Sequence, residues 1–222
     1  VTSALLGAHE CILSGERVVL LPERALWLPA HDALLVADLH WGKAAAFRAA
    51  HVPVPMGTTS SDLARLSSAL EATHASQLIV LGDLLHAKAG RHEETFRTIS
   101  EWRARHSAVR ITLVRGNHDV HAGDPPDSLD IHCTSEPCRV GPFLGVHEPA
   151  PHPDAYVLAG HLHPSVTLYG RGKQRARLPC FAFGPQVGLL PAFSSFTGGG
   201  MYERAAGDVI YAIAGGEVMA VG

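Results

Sequence analysis

The chain has 222 residues, of which 46% are apolar, and a formal net charge of −3. Such a length and apolar content suit one globular domain, 1–222, with a sizeable core. The slightly acidic balance excludes a global basic field that would coat nucleic acid regardless of sequence, and leaves local sites open. The four cysteines, Cys11, Cys133, Cys138 and Cys180, form no Cys-x-x-Cys pair, which argues against a zinc ribbon or a thioredoxin-type motif. No basic segment followed by an apolar leader opens the chain, and no apolar run is long enough to span a bilayer. The expectation is therefore a cytoplasmic protein with no membrane partner.

Glu16–Leu21 and Ala25–Leu28 read as short strands around the turn Leu21-Pro22-Glu23-Arg24. Ala33–Ala37 reads as a buried strand that runs into Asp38-Leu39-His40. On extended backbone, residues two apart share a face, so the Asp38 carboxylate and the His40 imidazole converge on one ion. The alternative is an aspartate capping the next helix beside a surface histidine. Trp41–Ala50 is alanine-rich and helical, and it breaks at Val52-Pro53-Val54-Pro55. A second helix follows over 58–74, with Leu63, Leu66 and Leu70 on its buried face.

Gln77–Leu81 is another buried strand, and it ends in Gly82-Asp83-Leu84-Leu85-His86. Its glycine permits a tight exit that puts Asp83 at the sheet edge. Arg91–His106 is helical, with Phe96, Ile99 and Trp102 as apolar positions. The strand Arg110–Val114 then stops in Gly116-Asn117-His118-Asp119, read as a loop. Open α/β sheets keep their ligands at this carboxyl edge. Beyond it, strands are expected at Leu129–Cys133, Cys138–Val146, Ala155–Ala159, Val166–Tyr169 and Leu178–Phe183, with two more at the C-terminus. Phe143–Val146 leads to His147, and Tyr156–Ala159 leads to Gly160-His161-Leu162-His163. Strand-helix alternation followed by strands indicates an α/β domain with a two-sheet core and helices outside.

Fifteen histidines occur in the chain, so no single one identifies a ligand. Five strand ends together offer Asp38, His40, Asp83, Asn117, His147, His161 and His163. These oxygen and imidazole donors suit manganese, iron or zinc, with no thiolate among them. Seven ligands exceed one ordinary mononuclear site. They suit two ions sharing a carboxylate, and Asp83 stands alone between the paired segments. Two ions roughly 3.5–4 Å apart are the usual hydrolytic pair for phosphate esters. His118 diverges from its neighbour Asn117. Its expected part is a proton or hydrogen bond to the leaving oxygen, with Asp119 orienting the imidazole.

Asp-x-His, Gly-Asp, Gly-Asn-His-Asp, a strand-end histidine and Gly-His-x-His, in this order over residues 38–163, resemble the calcineurin-like metallophosphoesterase superfamily. The resemblance implies a four-layer α/β/β/α sandwich. It also implies one metal on Asp38, His40 and His163, a second on Asn117, His147 and His161, and Asp83 as the bridge. Several longer stretches are similar to the bacterial ligase-associated DNA damage response endonuclease branch. They are Asp38-Leu39-His40-Trp41-Gly42-Lys43-Ala44-Ala45-Ala46-Phe47-Arg48, Val52–Thr59, Leu158–Pro164, Leu178-Pro179-Cys180-Phe181 and Pro191-Ala192-Phe193. This likeness implies a manganese-dependent phosphoesterase acting on DNA, associated with a helicase, an exonuclease and an ATP-dependent ligase.

Lys43, Arg115, Arg171 and Lys173 are the candidate contacts to substrate phosphates, the last two in the basic stretch Arg171–Arg177. Phe193–Gly200 reads as an aromatic loop that either stacks bases or packs as a lid, and packing is preferred. With no large added domain to clamp duplex, single strands or ends suit the chain best. Two other functions fit the same residues. One is hydrolysis of a small nucleotide or other small phosphate ester. The other is a repair scaffold without catalysis, which the presence of His118 beside a full ligand set disfavours.

Overall fold

The computed structural model describes residues 5–54, 57–170, 172 and 174–221. Its first sheet runs in chain order: β1 (His9–Leu13), β2 (Glu16–Leu21), β3 (Ala25–Leu28), β4 (Ala33–Val36), β5 (Gln77–Leu81), β6 (Arg110–Val114) and β7 (Ile131–Thr134). β1 to β4 form an antiparallel meander, and β4 to β7 are parallel. Parallel neighbours require crossovers. α2 (Thr58–Thr73) lies between β4 and β5, and α3 (Glu93–Arg105) between β5 and β6. Two short helices, α1 (Lys43–Ala49) and α4 (Asn117–Ala122), follow β4 and β6 closely.

The period-2 alternation of the buried strands divides the interior into two cores. Leu34, Val36, Leu78, Val80, Ile111 and Leu113 pack with Leu63, Leu66 and Leu70 of α2 and Ile99 and Trp102 of α3. Their alternates, Ala33, Leu35, Ala37, Ile79 and Leu81, pack with Phe143, Leu158, Phe181 and Phe183 of the second sheet.

That second sheet contains β8 (Cys138–Val140), β9 (Phe143–Val146), β10 (Tyr156–Ala159), β11 (Pro164–Tyr169), β12 (Arg175–Phe183), β13 (Val187–Leu189), β14 (Gly200–Met201), β15 (Val209–Ala214) and β16 (Glu217–Val221). β9, β10 and β13 are parallel. β12 forks: Arg175–Pro179 pair with β11, and Cys180–Phe183 pair with β15. Among the described residues no α-helix follows α4. The outer face of this sheet is a small cluster of Val157, Ala159, Ala182 and Leu189, with Val146, Val187 and Tyr202 against it. The α/β sandwich implied by the resemblance is present, with Tyr202 packed on the outer cluster of its second sheet. None of the described helices is long and apolar enough to cross a membrane.

Three local expectations change. Asn117-His118-Asp119 is the first turn of α4, not a loop. The single strand expected over Cys138–Val146 is a hairpin broken at Gly141-Pro142. β1 precedes the first expected strand; its burial alternates along a half-exposed edge, without an apolar run to announce it.

Candidate metal centre

Every motif segment leaves a parallel strand at its carboxyl end. Asp38 and His40 follow β4, Asp83 follows β5 and Asn117 follows β6, while His147 follows β9 and His161 and His163 follow β10. The two sheets thereby deliver their strand ends to one place.

The chain turns at these exits and does not stay extended. Asp38, His40, Asp83, His161 and His163 have φ of 55°, 47°, 51°, 68° and 46°. This replaces the extended geometry expected for the two paired segments. A left-handed conformation costs a non-glycine residue roughly 1–2 kcal/mol, and such residues concentrate at functional sites. Lateral hydrogen bonds hold the turns together. The amides of Asp38, His40 and Trp41 donate to the carbonyls of Gly82, Asp83 and Leu84 at 3.2, 2.8 and 2.7 Å. Two glycines allow the close approach. A Cβ on Gly82 would strike the His147 ring, and one on Gly116 would strike the Asp83 carboxylate.

All seven expected ligands come together. His163 Nε2 lies 3.4 Å from Asp38 Oδ1, and His40 Nε2 lies 3.9 Å from Asp83 Oδ2. On the other side, His147 Nε2 is 3.0 Å from Asn117 Oδ1, 3.1 Å from His161 Nδ1 and 3.5 Å from Asp83 Oδ1. Asp83 reaches both groups. Asp38, His40, Asp83 and His147 are buried. Asp38 Oδ1, both ring nitrogens of His40 and His163 Nε2 have no hydrogen-bond partner. An unmet buried polar atom costs about 1–3 kcal/mol. Several of them facing one point, with two carboxylates, form a donor set that divalent cations would satisfy.

Backbone groups hold three of these side chains, His147, Asp83 and Asp38, from behind. His147 Nδ1 donates to the Leu81 carbonyl at 3.1 Å, which leaves Nε2 as the nitrogen facing the centre. Asp83 Oδ1 accepts from the His118 amide at 2.9 Å, and Asp38 Oδ2 accepts from the His161 amide at 3.0 Å. Burial, reinforced by Lys43 and the neighbouring histidines, pushes the His40 imidazole down to about 2. The ring is therefore neutral, the state that ligates. Burial also raises the Asp83 carboxyl above its ordinary range, against the opposing pull of His147.

His118 does not use Asp119. Its Nδ1 donates to the His86 carbonyl at 2.8 Å, and its Nε2 points inward, 4.0 Å from Asp83 Oδ2. Asp119 instead caps α4. One oxygen accepts from the Gly116 amide and the other from the Leu85 amide, each at 2.9 Å, and its carboxyl is raised by burial. The expected pairing fails because adjacent residues at a helix start point apart, while a carboxylate three residues into the helix reaches back to the N-cap.

His86 closes the Gly82–His86 segment, and sequence reasoning gives it no role. Its ring stacks on His118 at 4.9 Å and meets His40 edge-on at 5.3 Å, and its Nδ1 has no partner. Burial, then Lys43 and His118, lower it to about 4. The signal in the sequence is a polar residue directly after the buried pair Leu84-Leu85.

Lys43 Nζ donates to Thr197 Oγ1 at 3.2 Å. Burial lowers its pKa, against the pull of Asp38 and Asp83. Arg115 is committed elsewhere: its Nε and Nη2 bind both oxygens of Asp124 at 2.7 Å. Arg171 and Lys173 lie outside the described residues. The aromatic loop packs. Phe193 is fully buried beneath the Arg65 guanidinium, and Phe196 meets Phe47 edge-on at 5.5 Å.

The family model for calcineurin-like phosphoesterases matches residues 32–145. The crystal structure of Pseudomonas putida nuclease MPE is similar at a TM-score of 0.85 and 44% identity, covering 96% of this chain and 100% of that one. A weaker likeness, to the E. coli phosphoesterase YfcE, has a TM-score of 0.41 and 15% identity over 82% of this chain and 88% of that one. It carries no weight. No curated protein sequence matches the chain at a significant level. With its fold, its ordered strand-end motifs and this identity to a solved relative, the chain belongs to the calcineurin-like phosphoesterase family.

Proposed function

We propose that the protein is a two-metal phosphodiesterase that cuts DNA, with single strands or ends as its preferred substrates. The observation that carries this reading is the pair of donor groups meeting at Asp83. Asp38, His40 and His163 would hold one ion, Asn117, His147 and His161 would hold the other, and Asp83 would serve both. Manganese is the first choice, and iron and zinc suit the same donors. Such a pair, when bound, polarises phosphoryl oxygens and activates water for attack.

The chain's own groups do the rest. His118 Nε2 faces the centre from a half-exposed ring and, with Nδ1–H kept by the His86 carbonyl, gives its proton to the leaving oxygen from the doubly protonated ring. The His86 carbonyl fixes the orientation of that ring through Nδ1–H, and the His86 ring stacks against it. Asp119 ties the start of α4 to the segment carrying Asp83. DNA as substrate is supported by the likeness to a protein described as a nuclease. The resemblance to the ligase-associated branch adds a place in cytoplasmic DNA repair, beside an ATP-dependent ligase, a helicase and an exonuclease.

The test is hydrolysis of single-stranded DNA with added manganese, with Asp83→Ala prepared identically and bis(p-nitrophenyl) phosphate run in parallel. Cleavage of both by wild type, lost by about 10³-fold or more in Asp83→Ala, is the expected result. Cleavage of the small diester alone would replace DNA by a small phosphate ester. Hydrolysis of neither substrate, with two metals bound, would leave a scaffold.

A further inference from the structure

Two hollows flank the metal centre, and they differ in charge. One, of about 220 Å³, shares His163 with the centre and is lined by Arg24, Arg177, Ser165 and Thr197. The other, of about 480 Å³, shares Asn117 and His147 and is lined by Val114, Val120, Arg115 and Glu148.

In the first hollow, the two guanidiniums are aimed by neutral groups. Arg24 Nη1 donates to the carbonyls of Ala192 and Ser194 at 3.2 and 3.0 Å. Arg177 Nε donates to Ser165 Oγ at 2.7 Å, and its Nη2 donates to the Gly199 carbonyl. Among the described residues, neither arginine forms an ion pair with a carboxylate, and no acidic residue lines this hollow. A carbonyl fixes the direction of a guanidinium and leaves its charge uncancelled, and Asp62, which attracts Arg24, is itself paired with Arg65. Two such charges held together in a partly buried cleft favour an anion. Lys43 approaches the same wall through Thr197.

The second hollow is different. The charge of Arg115 is cancelled by Asp124, and Glu148 leaves the lining acidic beside exposed Val120. A base or sugar fits there better than a phosphate.

We propose that the hollow beside His163 is a phosphate subsite. It takes the internucleotide phosphate next to the scissile one, with Arg24 and Arg177 as its ligands, while the hollow beside Asn117 takes the nucleoside on the other side. This rests on the nucleic-acid reading above and extends it. A linkage that lacks a neighbouring phosphate on the His163 side is a poor substrate.

The experiment compares a single-stranded DNA oligonucleotide with bis(p-nitrophenyl) phosphate, which has no second phosphate. For Arg24→Gln and Arg177→Gln, the ratio of kcat/KM between oligonucleotide and small diester should fall about ten-fold each, through KM. The slope of log KM against log salt should flatten in each variant, by up to about 0.7, the share of the single phosphate that the two arginines hold. Arg177→Lys, which keeps the charge, should recover most of the ratio. Equal losses on both substrates would overturn the subsite, because they mark general damage to the centre. Unchanged ratios would overturn it too. A wild type that cleaves the small diester and no oligonucleotide would remove the nucleic-acid reading, and the subsite with it.

Discussion

The ring of candidate metal donors and the rim around it are built by opposite means. Each donor of the ring stands within a few residues of a strand end, and backbone amides or carbonyls of neighbouring turns hold the side chains of Asp38, Asp83 and His147. The rim is assembled from afar. Arg24, Lys43, the α2 pair Asp62 and Arg65, and Arg177 come from four separate parts of the chain and all grip the segment 192–199. A ring set by backbone has little slack, since packed interiors transmit small displacements. A rim of long side chains on carbonyls yields gradually. Substitutions in the ring should therefore act steeply, and substitutions in the rim by degrees.

The steepest single-residue test beyond the ligands is His118→Ala. Loss of a positioned acid costs typically 10²–10⁴-fold. The loss should be largest on DNA, whose leaving alkoxide needs a proton, and much smaller on a p-nitrophenyl diester, whose leaving group does not. Parallel kcat measurements on the two substrates check this. Equal losses would move His118 from acid to structural support.

Gly116→Ala comes next. The added methyl would enter the space of the Asp83 carboxylate, and a misplacement of about 1 Å costs on the order of 10²-fold. Both substrates should fall together, with the protein still folded by circular dichroism. Activity within a few-fold of wild type would mean that the ring has more slack than its geometry implies.

The same contrast explains what the sequence makes visible. The apolar runs of β4, β5, β6 and β10 and the polar residues that end them are local features, so the seven donors and both long helices can be read directly. Left-handed backbone at Asp38, His40, Asp83, His161 and His163 cannot. Neither aspartate nor histidine requires it, and it arises from two sheets meeting at one edge. The partner of His118 is hidden for another reason. Adjacency suggests Asp119, whereas the acceptor is the backbone carbonyl of His86, which no side-chain pattern reveals. α4 is six residues long, too short for an apolar period to mark it. The rim is the least legible part. Arg24 and Arg177 are 153 positions apart in the sequence and meet only through the fold of 192–199.

The smallest expected effect sharpens the comparison most. Arg115 stands in the ring's own motif, next to Gly116, and sequence reasoning makes it a phosphate ligand. Its guanidinium is bound through two 2.7 Å hydrogen bonds to Asp124, on a pair that is partly open to solvent. Exposed ion pairs contribute about 0–1 kcal/mol, and a cancelled charge attracts no phosphate. Arg115→Gln should leave kcat/KM on DNA within about two-fold of wild type, with the salt slope unchanged, whereas Arg177→Gln shifts both. If Arg115→Gln flattened the salt slope instead, the strand's phosphates would run past Asn117, and the two hollows would exchange roles.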